Sequence, residues 1–351
     1  MDYYKTQTEF NCGIDLHTNQ MYVCVMDPAG EKLVHSNIRH NDFGYFLNRV
    51  DPYRHDLTVV CESTCNWYWL ADACFEADIE FVLAHALYLK HIHGGKNKND
   101  RIDSKKLAHL LRTNLIPPAY AHPAARRPAR GLFRQRMRFV WDRSTLMAQL
   151  GMNQYAEGFE PAPGRGGNRD QWEENILEQY TNPIHQFSAR MSMEMIRAYD
   201  KQIGMIEKRL ETESRKDYAT ELAVVKTVPG IGQILALTIL YEIDTIDRFP
   251  TVKDFLSYCR LVKGSVSSAG KFKGLKGSKM GNAYLRWAFG HAAVTAKRRN
   301  PLIGAYAERL TAKHGKFKAN AILGAKIARA VYFMLERSTV FDVDKLVSAK
   351  I

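Results

Sequence analysis

The order of short apolar runs in the first third of the chain is the strongest constraint on the fold. Three runs rich in β-forming residues are separated by Asn19 and by Pro28-Ala29-Gly30, which predicts an antiparallel meander. Two later runs are almost continuously apolar, which is typical of strands buried on both faces. The predicted strands are 11–17, 21–27, 32–38, 57–61 and 79–84, and the intervening predicted helices are 42–50 and 67–77.

This order of strands and helices predicts an α/β domain of the ribonuclease H-like (RuvC-like) type, a mixed sheet with helices on both faces. The rest of the chain has mainly helical patterns. Long helical stretches at 132–155 and 183–216 flank a turn-rich break and predict an antiparallel, coiled-coil arm. We therefore expect three domains: a RuvC-like domain at 1–130, a helical arm at 131–220 and a mainly α domain at 221–351.

The charge of the chain predicts a polyanionic partner. Lys and Arg outnumber Asp and Glu by 50 to 37 in 351 residues, a formal net charge of +13. Such an excess is typical of proteins that bind nucleic acid. The longest apolar runs fall short of the roughly 18 residues that a membrane span needs, and the N-terminus lacks a signal-peptide pattern. We expect a soluble intracellular protein that has no membrane partner.

Two basic zones, 105–138 and 260–299, contain no acidic residue and are candidates for contact with phosphates. A turn at Val228-Pro229-Gly230-Ile231-Gly232 predicts a helix-hairpin-helix, whose glycines would let backbone N–H groups approach a phosphate. An ordinary helix–helix turn is the alternative. The candidate nucleic-acid-binding residues are Lys105, Lys106, Arg126, Arg127, Arg130, Gly230, Gly232, Lys271, Lys273, Lys276, Lys279 and Arg286.

Four acidic residues stand out against this positive charge. Asp15 lies within a predicted strand, Glu62 ends a buried one, and Asp100 and Asp103 share one face of a predicted helix. These four would converge at one end of a ribonuclease H-like sheet, where two Mg²⁺ ions, or Mn²⁺, would relieve their repulsion. The alternative is structural: Asp100 as an N-cap, Asp103 in the first helical turn, and Glu62 paired with an Arg.

The cysteines and serines leave further alternatives open. Six cysteines without paired CxxC spacing are best interpreted as reduced core thiols. A zinc site built from Cys61, Cys65, His91 and His93 is the less favoured hypothesis.

In the flexible, Gly-rich part of the second basic zone, Ser267 and Ser268 lie beside Lys271, where a hydroxyl could attack phosphorus. An ordinary loop serine is the alternative.

The ordered motifs resemble the DEDD transposases of the insertion-sequence-110 family, including its bridge-RNA-guided recombinases. The resemblance extends over about residues 11–300. Its motifs are Gly13-Ile14-Asp15-Leu16-His17, Cys61-Glu62-Ser63-Thr64, Lys98 to Ala108, Val228 to Gly232, Ser267-Ser268-Ala269-Gly270-Lys271 and Lys279 to Arg286.

The resemblance implies a specific reaction. Asp15, Glu62, Asp100 and Asp103 would be the DEDD carboxylates that bind Mg²⁺, and Ser268 would attack a DNA phosphodiester to form a covalent phosphoserine link. It also implies an element-encoded bridge RNA that pairs with donor and target DNA, and a tetramer in which the two catalytic domains meet between subunits. A place in the prokaryotic cytoplasm, associated with the nucleoid, is a further implication of the resemblance. The chain departs from the family where Ala269 replaces the common Gly and where 263–266 lacks the usual Pro-Arg-Glu, so Ser267 stays an alternative nucleophile.

Two other functions fit parts of the pattern. A RuvC-like junction resolvase would cut DNA with a metal-activated water and no serine intermediate. A binding scaffold with a decayed site would need no carboxylate set. The domain at 221–351 argues against the first, and the complete set of four carboxylates argues against the second.

Overall fold

The computed structural model describes residues 3–92, 99–161, 168–214, 216–269, 271–276 and 280–348, with the side chains of 265–268, 272, 275 and 276 left out. The chain divides into two compact units, Met1–Ala125 and Arg126–Ile351. The helices predicted as an arm belong to the second unit. The further boundary predicted near residue 220 stays a prediction.

The first unit contains a five-stranded mixed sheet. Its strands are β1 Phe10–Leu16, β2 Gln20–Met26, β3 Lys32–Arg39, β4 Leu57–Glu62 and β5 Glu80–Ala84. They lie in the order β3-β2-β1-β4-β5. Strands β1 to β3 form the predicted antiparallel meander, and β4 and β5 run parallel to β1. The predicted mixed sheet with flanking helices is therefore confirmed.

Both faces of this sheet are covered, because the central strands carry apolar side chains on each side. Ile14 and Cys61 belong to a cluster on one face, while Val60 packs with Leu107 and Leu111 on the other. Leu107 and Leu111 are on the helix that begins at Asp100. The helices of this unit are α1 Phe43–Val50, α2 Trp67–Glu76, α3 Ala86–Ile92 and α4 Asp100–Arg112, with a 3-10 turn at Asp51–Asp56.

The outer edge of β5 is occupied by the chain that leaves α4. Ala84 forms a bridge with Pro118, the Ala119 N–H donates to the Leu83 carbonyl at 2.6 Å, and the His85 N–H donates to the Pro117 carbonyl at 2.8 Å. The two prolines have no N–H with which to extend the sheet further. Residues 117–119 are thus bound to the sheet edge.

The second unit is mainly helical, as predicted, and its core is centred on a helix whose residues from Leu235 to Ile243 are all buried. The elements are α5 Arg127–Ala156, α6 Arg169–Gln179, α7 Pro183–Ser214, α8 Ala219–Lys226, α9 Gln233–Ile243, α10 Val252–Tyr258, β6 Gly264–Ser268, β7 Lys271–Lys276, α11 Ala283–Arg299, α12 Pro301–His314, α13 Lys316–Arg337 and α14 Val343–Ser348, with 3-10 turns at Ala124–Arg126 and Ile246–Arg248. Helices α5 and α7 pack against each other.

Two elements differ from the prediction. Helix α5 begins at Arg127 rather than near 132, because Pro128 lies in its first turn, where no N–H is needed. The serine stretch, predicted to be flexible, forms an antiparallel hairpin of β6 and β7. Within the described residues, no helix is both long and apolar enough to span a membrane.

Candidate active site

The register of the sheet places two of the predicted carboxylates next to each other. Strands β1 and β4 are parallel, and their last paired residues are Ile14 and Cys61. Asp15 and Glu62 are the next residues on the two strands. Because side chains alternate along a strand, both carboxylates lie on the face opposite to Ile14 and Cys61, which is the face that α4 covers.

Gly13 allows α4 to approach that face closely. A Cβ at this position would lie 2.3 Å from the backbone nitrogen of Ala108 and 2.3 Å from the carbonyl oxygen of Ser104. The helix backbone therefore occupies the space that any other side chain would need. This contact brings the first turn of α4, which carries Asp100 and Asp103, towards the end of β1.

His17 joins the carboxylates that this packing gathers. Its Nε2 lies 3.2 Å from Asp15 Oδ2 and 3.4 Å from Asp100 Oδ1. The other Asp100 oxygen accepts a hydrogen bond from Gln20 Nε2 at 3.3 Å, and Asp103 Oδ1 accepts one from Lys106 Nζ at 3.1 Å. The structure thus brings Asp15 and Asp100 together and adds His17, which the sequence-based list of site residues lacked.

The helix cap differs from the structural alternative considered above. Asn99, not Asp100, is the N-cap of α4, and its side-chain oxygen accepts from the Arg101 N–H at 3.0 Å. Asp100 is the first residue of the helix and Asp103 lies in the first turn. Because Asn99 already caps the helix, Asp100 is left with its carboxylate turned to His17 and Gln20.

The electrostatics of the cluster favour a bound cation. Burial raises the pKa of Asp15, and the nearby Asp100 and Asp103 carboxylates raise it further, while His17 opposes the shift. Ligand atoms of Asp15, His17 and Asp100 all lie within 4.8 Å of one another, the one such group among the residues that could be searched. A divalent cation would remove the repulsion, and carboxylate oxygens are the ligands that Mg²⁺ prefers.

The cysteine positions fit the core-thiol interpretation. All six are free, and only Cys65 is exposed. Burial raises the pKa of the Cys61 thiol far above its ordinary value, which opposes the thiolate form that zinc requires. The alternative zinc site would also use His91 and His93, and His93 lies outside the described residues.

The predicted serine nucleophile ends a strand in the second unit. Ser268 is the last residue of β6 and pairs with Lys271, the first residue of β7. Ala269 has φ +50°, a left-handed conformation that favours glycine. A glycine at this position would adopt the same backbone conformation without strain.

The base of this serine hairpin (264–276) is closed by one backbone and one side-chain hydrogen bond. The Asn282 N–H donates to the Tyr258 carbonyl at 2.5 Å, and Arg260 Nε donates to the Gly281 carbonyl at 2.7 Å. Gly281 has φ +95°, and a Cβ there would lie 2.5 Å from the Tyr258 oxygen. The two ends of the hairpin are therefore held side by side.

Two family models match separate parts of the chain. A DEDD transposase model of the IS110 type covers residues 12–152, and a model described as a transposase of the IS116/IS110/IS902 family covers residues 222–308. The chain belongs to the IS110 family of DEDD transposases. It is therefore an enzyme that cuts and recombines DNA and uses a divalent metal. No curated protein sequence matches it.

The two matches cover different groups of predicted site residues. The first spans all four predicted carboxylates, and the second spans the glycine turn and the serine hairpin. The resemblance inferred from the motifs is confirmed, as is the assignment of DNA as substrate.

The turn between α8 and α9 of the transposase contains two glycines with different surroundings. Gly230 has φ +94°, and a Cβ there would lie 2.5 Å from the Ala296 nitrogen on α11. A Cβ at Gly232 would meet nothing within 4 Å. Gly230 therefore serves helix packing, while Gly232 leaves the start of α9 accessible. A role of this turn in binding DNA stays a prediction.

The predicted phosphate contacts fall into groups with different surroundings. Four of these residues have exposed side chains, namely Lys105, Lys271, Lys273 and Arg286. Four have interactions within the protein. Lys106 forms an ion pair with Asp103, Arg126 with Asp217 and Arg130 with Glu242, and Arg127 also has an interaction partner. Lys279 and the side chain of Lys276 lie outside the described residues.

Proposed function

We propose that this transposase cuts and exchanges DNA strands through a covalent link between DNA and Ser268, with Mg²⁺ held by Asp15, Glu62, Asp100 and Asp103. The metal-binding part of the proposal rests on the close contact of α4 with Gly13. This contact brings carboxylates from two elements together around His17. The serine part is supported by the hairpin geometry and by the match over residues 222–308.

The protein side of the reaction is a transfer of one phosphodiester bond. Ser268 Oγ forms a bond to phosphorus, the bond from phosphorus to one deoxyribose oxygen breaks, and the proton of the serine passes to that oxygen, which leaves as a hydroxyl. A hydroxyl of the partner strand then attacks the phosphoserine, which restores the serine and joins the new strands. No net hydrolysis occurs, so the phosphodiester energy is conserved.

The acidic cluster fits the metal that this chemistry needs. A divalent cation bound there would stabilise the negative charge on the attacking and leaving oxygens. Hydrogen bonds from Gln20 to Asp100 and from Lys106 to Asp103 fix the carboxylates that face the cation. Fixed ligands matter because hydrogen-bonded outer partners set the orientation of metal-binding side chains. Mn²⁺ takes the same oxygen ligands.

The proposal includes a bridge RNA and a homotetramer. Base pairing by such an RNA would leave the protein to recognise mainly the backbone and shape of the duplex. The exposed side chains of Lys105 in the first unit and of Lys271, Lys273 and Arg286 in the second provide positive charge suited to that task.

The nucleophile is tested by trapping the covalent intermediate. End-labelled duplexes that carry the element's own ends are incubated with protein and Mg²⁺, and adducts that resist SDS are measured on a denaturing gel. Ser268→Ala should abolish the adduct, whereas the matched control Ser267→Ala should keep it. Asp15→Ala should abolish both the adduct and strand exchange.

The outcomes separate the two reaction types. An adduct that persists in Ser268→Ala and disappears in Ser267→Ala would move the nucleophile by one residue. Cleavage that needs Asp15 but proceeds without any adduct would favour the junction-resolvase reaction with water as nucleophile.

The guide is tested by purifying the transposase from cells that carry the whole element and sequencing the bound RNA. A discrete RNA species encoded by the element is expected. DNA cleavage by protein that contains no such RNA would refute the guided mechanism, and a gel-filtration mass other than four chains would refute the tetramer.

A further inference from the structure

A buried carboxylate in the second unit takes no part in the reaction proposed above. Glu242 is the one charged residue of the apolar helix α9, and its side chain is 1% exposed. Arg134 donates to both of its oxygens, at 2.6 and 2.8 Å. Arg130 donates to it at 3.2 Å and Asn282 Nδ2 at 2.7 Å.

This network remains ionised in the interior. Burial on its own raises the pKa of Glu242, but Arg134, Arg130 and Asn282 together hold the pKa below its ordinary value. An ionised carboxylate can accept from all of its donors at once. Paired charges of this kind give fixed geometry, although they often add little stability over apolar side chains of the same size.

The donors come from two distinct parts of the fold. Arg130 and Arg134 belong to α5, the long helix predicted as part of the arm. Asn282 caps α11, with its Oδ1 accepting from the Tyr284 and Leu285 N–H groups, and its own N–H closes the base of the serine hairpin on Tyr258. Glu242 therefore links α5 to the base of that hairpin through one side chain.

We propose that Glu242 is a positioning residue, which orients the serine hairpin relative to helix α5 by holding Asn282. The proposal deepens the function proposed above, since it rests on Ser268 as the nucleophile. If the hydrogen bond between Glu242 and Asn282 is lost, the base of the hairpin should become looser, while the core around α9 stays packed. A nucleophile displaced by about 1 Å reacts on the order of a hundredfold more slowly.

The sharpest test removes that one hydrogen bond and keeps the helix cap. Serine caps helices as well as asparagine does, but its side chain is too short to reach Glu242. Asn282→Ser is therefore compared with Asn300→Ser, since Asn300 caps α12 in the same way, with Oδ1 accepting from the Ile303 N–H at 3.1 Å. Glu242→Gln serves as a second variant, which keeps the shape and removes the charge.

Three quantities are measured for each variant: the single-turnover rate of adduct formation at saturating DNA, the Kd for that DNA, and hydrogen exchange of amides in 264–276. For Asn282→Ser and Glu242→Gln we expect a rate lower by about tenfold or more, faster hairpin exchange and a Kd within about threefold of the unchanged protein. Asn300→Ser should change none of the three.

Equal adduct rates and equal hairpin exchange in Asn282→Ser and Asn300→Ser would overturn the proposal. Faster hairpin exchange is independent of the serine chemistry. If the unchanged protein forms no adduct while the two variants still exchange faster in 264–276, Glu242 orients the hairpin as proposed and the assignment of Ser268 is what fails.

Discussion

Replacing Gly13 by alanine should separate the two elements that carry the acidic cluster. The added Cβ would lie 2.3 Å from two backbone atoms of α4, and from the Leu107 Cβ it would lie 2.8 Å. Ordinary contact begins near 3.4 Å, so the helix has to move away from β1 by about 1 Å. None of these three atoms lies at the far end of a flexible side chain that could rotate away.

Two consequences of that movement can be estimated. Forcing an extra methyl group into a packed interior costs about 1–3 kcal/mol, which urea unfolding would measure. The first turn of α4 moves with the helix, which lengthens the distances between Asp15 and the pair Asp100 and Asp103. A displacement of this size lowers the rate of DNA cleavage on the order of a hundredfold.

The assay combines stability, metal binding and cleavage. Unfolding by urea, Mn²⁺ binding followed by electron paramagnetic resonance, and single-turnover cleavage are compared between Gly13→Ala and the matched control Gly44→Ala. Gly44 is exposed in α1, where the nearest atom to an added Cβ is Asp42 Oδ1 at 3.4 Å. Wild-type cleavage and Mn²⁺ affinity in a folded Gly13→Ala protein would refute the claim that this contact builds the site.

Three further predictions concern single positions. Because burial and neighbouring acids raise the pKa of Asp15 above its ordinary 3.8, the metal-free protein should lose stability as pH rises through the raised pKa, and Asp15→Asn should abolish this loss in urea unfolding with EDTA present. Ala269→Gly should relieve a φ of +50° and stabilise the serine hairpin by about 1 kcal/mol, seen as slower hydrogen exchange in 264–276. Gly230→Ala should lower the unfolding free energy by about 2–3 kcal/mol or more through its clash with Ala296, whereas Gly232→Ala, tested the same way, should cost about 1 kcal/mol or less.

The sheet was predictable because burial on both faces leaves a continuous apolar run. The runs that became β4 and β5 have that pattern, and their bounds differ from the prediction by a residue at most. The acidic cluster could be predicted in part for the same reason, since Asp15 interrupts an apolar strand and Glu62 ends one. His17 was missed, although its place two residues after Asp15 was a usable signal.

Other features depend on contacts between distant segments, which local patterns do not contain. The serine hairpin has a Lys-, Gly- and Ser-rich sequence without apolar alternation, so its pairing could not be predicted from periodicity. The buried position of Arg130 depends on Glu242, which is 112 residues away. A single glutamate in an otherwise apolar helix was the available signal that a basic partner had to be buried with it.

The edges of the five-stranded sheet limit how copies of this chain can assemble. The edge beside β5 already holds residues 117–119, and its two prolines offer no donor to another strand. The opposite edge, β3, carries the charged Lys32 and Arg39 with exposed side chains, a pattern that discourages strand addition. Joining of copies through this five-stranded sheet is therefore disfavoured at both of its edges.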